Sequence, residues 1–244
     1  MADALASGAS VRKDVRVQVP PRARTAPMPN KCELGKMPLE TFMIALEAIG
    51  VLAFALSGII EAARKHFDLV GVVMVGFIAA FGGGTLRDVL LDRRPFFWVE
   101  QEFWLWALIG IGIALPFFFK ARHIEFTEKA MLIPDAVGLG AFAAGGTHLA
   151  LQTGATPLVA VLMGVVTAVV GGILRDVLVN EVPRAFFDHQ PYAVIAFAGG
   201  WLVVLLAEIQ TPRYVDVLIA AVLMVITRLL AVKFGWELKR WRFL

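Results

Sequence analysis

Residues 82–92 read GGGTLRDVLLD and residues 171–180 read GGILRDVLVN. Glycines, an arginine beside an aspartate, and then an apolar run occur twice, in segments otherwise apolar enough for lipid. Sliding the chain by 88 residues lays GGTLRDVL from Gly83 on GGILRDVL from Gly171, and EAIGVLAFALSG from Glu47 on DAVGLGAFAAGG from Asp135. The register continues without a gap to Pro95 over Pro183, with about 18 identities in 49 positions. Shared apolarity does not put Arg, Asp and Pro in register. The chain therefore carries an internal duplication.

Hydrophobic residues make up 59% of the 244 residues, charged residues 18%, and mean hydropathy is +0.74, well outside the mixture of a water-soluble domain. Seven apolar stretches, at about 41–62, 69–91, 103–119, 131–151, 157–179, 191–210 and 214–233, each approach the roughly 20 residues that a helix needs to cross a hydrocarbon core. Continuous runs instead of ten-residue alternation predict helices, not a barrel. Three spans separate equivalent points, so the second copy enters the membrane from the opposite face. The expected fold is an all-α membrane protein of seven transmembrane helices in one domain over residues 39–235. It comprises two inverted three-helix repeats, about 41–119 and about 131–210, and a seventh helix at about 214–233.

Residues 1–38, rich in Arg, Lys and Pro and without an apolar period, read as a disordered N-terminal extension. Residues 236–244 read as a cytoplasmic tail. Loops after spans one, three and five carry Arg64, Lys65, Lys120, Arg122, Lys129 and Arg184, against Arg93, Arg94 and Arg213 on the other side. With the extension set aside, this predicts an outside N-terminus and a cytoplasmic C-terminus, in an inner (plasma) membrane. Trp98, Trp104, Trp106, Trp201, Trp236 and Trp241 are expected near span ends, as interfacial aromatics.

Several chemistries lack their residues. The single cysteine, Cys32, allows no internal disulfide. His66, His123, His148 and His189 have no HExxH or paired-ligand spacing, and Ser57 has no GxSxG elbow. Neither an enzyme nor a cofactor nor a metal site is expected. The net charge of +3 is spread over loops and tails, not gathered into a nucleic-acid-binding stripe.

Glycines at 82–84 and 171–172 favour either a kink or a very close helix contact, because each weakens helical preference by about 1 kcal/mol against Ala. For Gly82, Gly83, Gly84, Gly171 and Gly172, beside charges that need non-lipid surroundings, the kink is the favoured expectation. Gly50, Ala53, Gly58 and their mates Gly138, Ala141 and Gly146 are expected to pack helices together. Arg87 and Asp88 point about 100° apart on a helix, so their partners are expected elsewhere. Exchange of the halves suggests Arg87 with Asp176 and Arg175 with Asp88, or each arginine with Glu47 or Asp135. Four acids against two arginines leave two negative charges, which would draw cations into a wet passage; the alternative is an ion-pair lock between the repeats. Arg228, deep in span seven, is expected to pair with Asp216 or Glu208, or to snorkel to the interface.

The doubled glycine–arginine–aspartate stretch, the three-plus-three-plus-one layout and the length together resemble the prokaryotic trimeric intracellular cation (TRIC) channel family, over about residues 40–235. The resemblance implies a homotrimer in the lipid bilayer, each protomer with its own pore lined by kinked spans two and five, conducting monovalent cations (K+, Na+), chiefly potassium. The family's glycine motif falls on Gly82, Gly83, Gly84, Gly171 and Gly172, with Val170 in place of one glycine. Its charged motif falls on Arg87, Asp88, Arg175 and Asp176. A filter like TVGYG is absent. Inverted repeats equally suit a secondary transporter of a small solute such as an amino acid (glycine), a label that sequences with this motif also carry.

Overall fold

The computed structural model describes residues 39–100, 102–122, 128–187, 190–209 and 213–238. The expected N-terminal extension, Cys32, His123, His189 and most of the C-terminal tail, Trp241 included, lie outside them. Nine helices are described: α1 (Leu39–Arg64), α2 (Leu69–Leu90), α3 (Phe97–Glu100), α4 (Phe103–Arg122), α5 (Glu128–Gln152), α6 (Pro157–Leu178), α7 (Arg184–Phe187), α8 (Ala193–Glu208) and α9 (Arg213–Phe234). Of these, α1, α2, α5, α6 and α9 are long and apolar enough to cross a membrane; α4 and α8 hold shorter apolar stretches. α3 and α7 are single turns that the hydropathy reading did not show. Trp201 sits inside α8, not at its end.

Local chemistry explains where the helices begin and stop. Asp68 caps α2, its carboxylate accepting from the Gly71 amide at 2.7 Å. α6 begins instead with Pro157 at its first position, where a missing N–H costs nothing. At the far end of α2, Arg93 N–H donates to the Asp88 carbonyl (2.8 Å) and Asp92 N–H to Val89 (3.2 Å); α6 repeats this with Glu181 to Asp176 (2.9 Å) and Asn180 to Val177 (3.0 Å). Both are Schellman ends, with Asp92 and Asn180 at φ 50° and 58°, a conformation that short polar residues tolerate. The motif's position at the end of its helix is thus written into the residues that follow it.

Helices α1, α2, α5 and α6 form the centre, α4 packs against α2, and α8 and α9 close the other side against α5 and α6. Their contacts recur at the 88-residue offset. A Cβ on Gly50 would lie 2.6 Å from the Phe142 ring, and one on Gly138 2.7 Å from the Phe54 ring. Those two rings, both buried, stack at 5.4 Å. Likewise a Cβ on Gly83 would run into the Thr167 carbonyl oxygen, and one on Gly171 into that of Ala79. Each contact maps onto its mate when the halves are exchanged.

Both α2 and α6 run as uninterrupted helices through their glycines. The glycines serve close approach: with no hydrophobic drive between helices in lipid, backbone-to-backbone contact of this kind supplies the packing. Large apolar residues turned outward, such as Val70, Phe103, Trp106 and Leu205, give the bundle the surface of an integral membrane protein.

Gly83→Ala and Gly171→Ala place a methyl against backbone that cannot rotate away, so each is expected to destabilise by about 2–3 kcal/mol. Gly110 on α4 is open by contrast, with no atom within 4 Å of the place a Cβ would take, and Gly110→Ala should be neutral or slightly stabilising. Thermal unfolding of the purified protein in detergent checks the ranking; equal midpoints for all three would remove the glycine crossing from the fold's support.

Candidate functional site

The last turns of α2 and α6 each bury a guanidinium. Arg87 is 3% exposed; its Nε donates to Asp88 Oδ1 at 2.9 Å and its Nη2 to Glu47 Oε1 on α1 at 3.0 Å. Arg175 is 2% exposed; its Nε donates to Asp176 Oδ1 at 2.8 Å and its Nη1 to Asp135 Oδ1 on α5 at 2.6 Å. Each arginine thus ties its own helix to the first helix of the same repeat. The second carboxylate oxygens are used as well: Asp88 Oδ2 accepts from the Phe97 amide at the start of α3 (3.4 Å), and Asp176 Oδ2 from the Arg184 amide at the start of α7 (3.0 Å). The two single-turn helices are therefore pinned to the motif aspartates through otherwise orphaned amides.

This corrects the expected pairing. Neighbours on a helix do diverge by about 100°, yet the guanidinium arm is long enough to fold back onto the next residue's carboxylate. Arg87–Asp176 and Arg175–Asp88 are not among the ion pairs of the described residues, so neither arginine pairs with the motif aspartate of the other repeat; Arg175 crosses to it only through a hydrogen bond to Ser57 of α1. Glu47 and Asp135 fill the roles expected of them as alternatives. Arg228 corrects a second expectation: it is 2% exposed, donates to Gln190 Oε1 at 3.1 Å and stands 5.0 Å over the Tyr192 ring, instead of pairing with Asp216 or Glu208 or reaching the interface.

The surroundings of the two clusters differ. The first opens on a cavity of about 930 Å³, lined by Glu40, Glu47, Arg87, Arg93 and Glu100 and, from α5, by Gly145, Leu149 and Gln152. Glu47 keeps a quarter of its side chain exposed there. Around the second, only about 10 Å³ remains, among Asp135, Arg175, Asp176, Arg184, Tyr192 and Arg228. Asp135 is 5% exposed, and Ser57 of α1 accepts a 2.5 Å hydrogen bond from Arg175.

The expected surplus of two negative charges on the motif residues does not survive this geometry. Arg93 joins the first cluster, 3.8 Å from Asp88, and Arg184 and Arg228 join the second. An acidic bias persists in the open cavity, where Glu40, Glu47 and Glu100 face two arginines.

The sequence pattern gave no role in this site to Glu61, which is fully buried in α1 and takes Arg64 (3.1 and 2.5 Å) and Arg184 (3.6 Å). Outside it, Lys65 donates to Glu181; this bond and the lysine's charge hold the Glu181 carboxyl below its ordinary 4.5. The contribution of that pair is present above pH 4.5 and lost only as pH falls through the lower folded value. A signal for Glu61 existed: it follows Ser57 by one turn and precedes Arg64 by another.

Fold and site together define a polytopic α-helical membrane protein whose duplicated glycine–arginine–aspartate unit carries buried charge. A family model described as "Glycine transporter" matches residues 44–120 and again 132–208. Among curated relatives, a Deinococcus radiodurans UPF0126 membrane protein is 42% identical over 168 residues, covering 68% of this chain and 77% of its own. The Escherichia coli (strain K12) UPF0126 inner membrane protein YadS is 38% identical over 156 residues, covering 64% and 74%. A solved TRIC trimeric intracellular cation channel orthologue from Rhodobacter sphaeroides superposes with a TM-score of 0.74 at 37% identity, covering 80% of this chain and 99% of that one. A structure described under conductance through TRIC cation channels gives 0.72 at 32% identity, covering 85% and 98%. The chain belongs to the prokaryotic TRIC channel family, to which that twice-matching model corresponds.

Removing one partner of a dry ion pair leaves an uncompensated charge, whereas a wet one is solvated. Asp135→Asn is therefore expected to cost about 3 kcal/mol and Glu47→Gln about 1 kcal/mol or less. Chemical denaturation of the two variants in one detergent checks this; equal losses would show that the clusters are equally sealed.

Proposed function

We propose that this protein is a passive channel for monovalent cations, permeable to potassium, with a separate passage in each protomer of a homotrimer. The passage runs along α2 and α6, past Glu47, Arg87 and Asp88 on one side and Asp135, Arg175 and Asp176 on the other. The two halves are taken as inverted repeats of three spans each, with α9 as the seventh. The observation that carries the reading is the acid-lined cavity of about 930 Å³ ending on the Arg87 cluster. Three glutamates around a low-dielectric recess concentrate cations at its mouth. The solved relatives, described as cation channels and not as enzymes, support the same reading.

The Lys65–Glu181 ion pair, which brings the loops after α1 and after α6 together, supports a topology with both on one face. The positive-inside pattern makes that face cytoplasmic, in a bacterial inner membrane such as that named for the Escherichia coli relative. In this state the passage is open toward the outside and shut at its cytoplasmic half. Bending of α2 and α6 at Gly82–Gly84 and Gly171–Gly172 would widen it.

One observation favours a second reading. A cavity open to one face and sealed at the other is also the geometry of alternating access, and the matching family model is described as a glycine transporter.

Planar-bilayer recording under a tenfold potassium chloride gradient separates the two. A cation channel gives unitary steps without added solute and a reversal potential approaching ~59 mV, reduced in Glu47→Gln. A reversal potential at zero, or flux appearing only with glycine and saturating with it, would contradict the channel.

A further inference from the structure

Equivalent glycines of the two repeats face opposite surroundings. A Cβ on Gly84 of α2 would lie 2.6 Å from the Phe97 ring, which Arg87 also faces, its Cζ 5.7 Å from the centroid. At the 88-residue offset Phe97 becomes Ala185, which carries no ring. The atoms nearest the place of a Cβ on Gly172 of α6 are polar: Tyr192 Oη at 3.3 Å, Arg175 Nη2 at 3.7 Å and Asp135 Oδ1 at 3.8 Å. They belong to the recess of about 10 Å³ that Arg184 and Arg228 also line.

Two groups at this recess have hydrogen-bond donors to spare. Tyr192 is 5% exposed, and its hydroxyl has no partner among the described residues. Arg228 is buried as deeply, yet among the described residues no carboxylate pairs with it. Its Nη1 donates to two neutral acceptors, Gln190 Oε1 at 3.1 Å and the Pro191 carbonyl at 3.5 Å, which leaves Nε and Nη2 over. The other two arginines are met, Arg175 by Asp135 and Asp176 and Arg184 by Glu61. Around the recess three guanidinium groups thus face two carboxylates, and adding the flanking Glu61 and Arg64 keeps one positive charge in excess. A buried charge without a counter-charge is among the costliest features a fold can carry.

We propose that this recess is an anion site that holds one chloride ion, bound by the Tyr192 hydroxyl and the spare nitrogens of Arg228. Size and charge together select the occupant. Space for a single water-sized particle admits a monatomic ion and excludes phosphate, sulfate or a carboxylate-bearing solute. The unmet groups are donors. A water oxygen would accept from them and leave the excess charge in place, whereas chloride answers both demands. Asp135 and Asp176 are already bonded to Arg175 and do not offset Arg228. The ion is a fixed counter-ion that ties α9, through Arg228, to Tyr192 at the head of α8; it is not a permeating species. The first half has no equivalent, since Tyr192 corresponds to Trp104 and Arg228 lies outside the duplication.

The test is thermal unfolding of the full-length protein in detergent at fixed ionic strength, with sodium chloride exchanged stepwise for sodium gluconate. Chloride is expected to raise the midpoint saturably, by about 3–5 °C at ten times its Kd. Arg228→Gln, which removes the excess charge, should abolish the shift. Tyr192→Phe should raise the half-effective chloride concentration about 10-fold. Arg94→Gln, at an exposed arginine, should keep the shift of the parent. Crystals grown with bromide in place of chloride give a second readout, an anomalous peak within hydrogen-bonding distance of Tyr192 Oη.

Equal midpoints in chloride and gluconate overturn the site, as does a shift that Arg228→Gln and Tyr192→Phe both keep, or a bromide map without that peak. Should Arg228→Gln fail to fold, Tyr192→Phe and the bromide map decide. None of these readouts involves current, so a parent that conducts no potassium removes the channel reading and leaves the anion site standing on its own results.

Discussion

A guanidinium inside a lipid-spanning bundle has to be met by carboxylates before anything else can be arranged around it. A charge at helix centre costs at least about 2.5 kcal/mol on insertion scales. Here each motif arginine meets that demand twice over, with the aspartate that follows it and an acid on the first helix of its own repeat. The aspartates spend their remaining oxygens on the amides of α3 and α7. These bonds tie α2 to α1 and α6 to α5, and hold the loop turn after each.

Glycine supplies the complementary constraint. Charge clusters at the ends of α2 and α6 would stay apart if the two helices met through side chains. At Gly83 and Gly171 they meet through backbone, carbonyl against Cα. The reciprocal Gly50–Phe142 and Gly138–Phe54 contacts do the same for α1 and α5. Small residues thus set the spacing, and the ion pairs are built to fit it. Duplication gives the frame near-symmetry; the copies diverge on one helix face, Ser57, Glu61 and Arg64 against Gly145, Leu149 and Gln152, and only the first cluster opens on a sizeable cavity.

Much of the frame was legible in the sequence because apolar run length is a direct physical signal. The stretch read as 41–62 is the helix Leu39–Arg64, 69–91 is Leu69–Leu90, and 157–179 is Pro157–Leu178. The site residues Glu47, Arg87, Asp88, Asp135, Arg175 and Asp176 were legible as groups too polar for lipid, and the structure gathers them into two clusters. Their pairing was not, since helical angle describes Cβ directions and not the reach of a long arginine side chain. For the glycines a kink was favoured over close contact, which asks for the same residue, and close contact is what Gly83 and Gly171 show. Arg228 was misread for a different reason: its partners Gln190 and Tyr192 come from a loop whose path no periodicity reveals. Glu61 lay in the repeat but outside its identities, and comparison by likeness passes over positions where the copies differ.

The claim on which this account stands is that equivalent charge clusters sit in unequal water. A structure of the protein in lipid nanodiscs, at a resolution that shows ordered solvent, measures this directly. The account predicts a chain of waters reaching Glu47 and Arg87 from the cavity side and none between Asp135, Arg175 and Asp176. Continuous water around both clusters, or around neither, would contradict it.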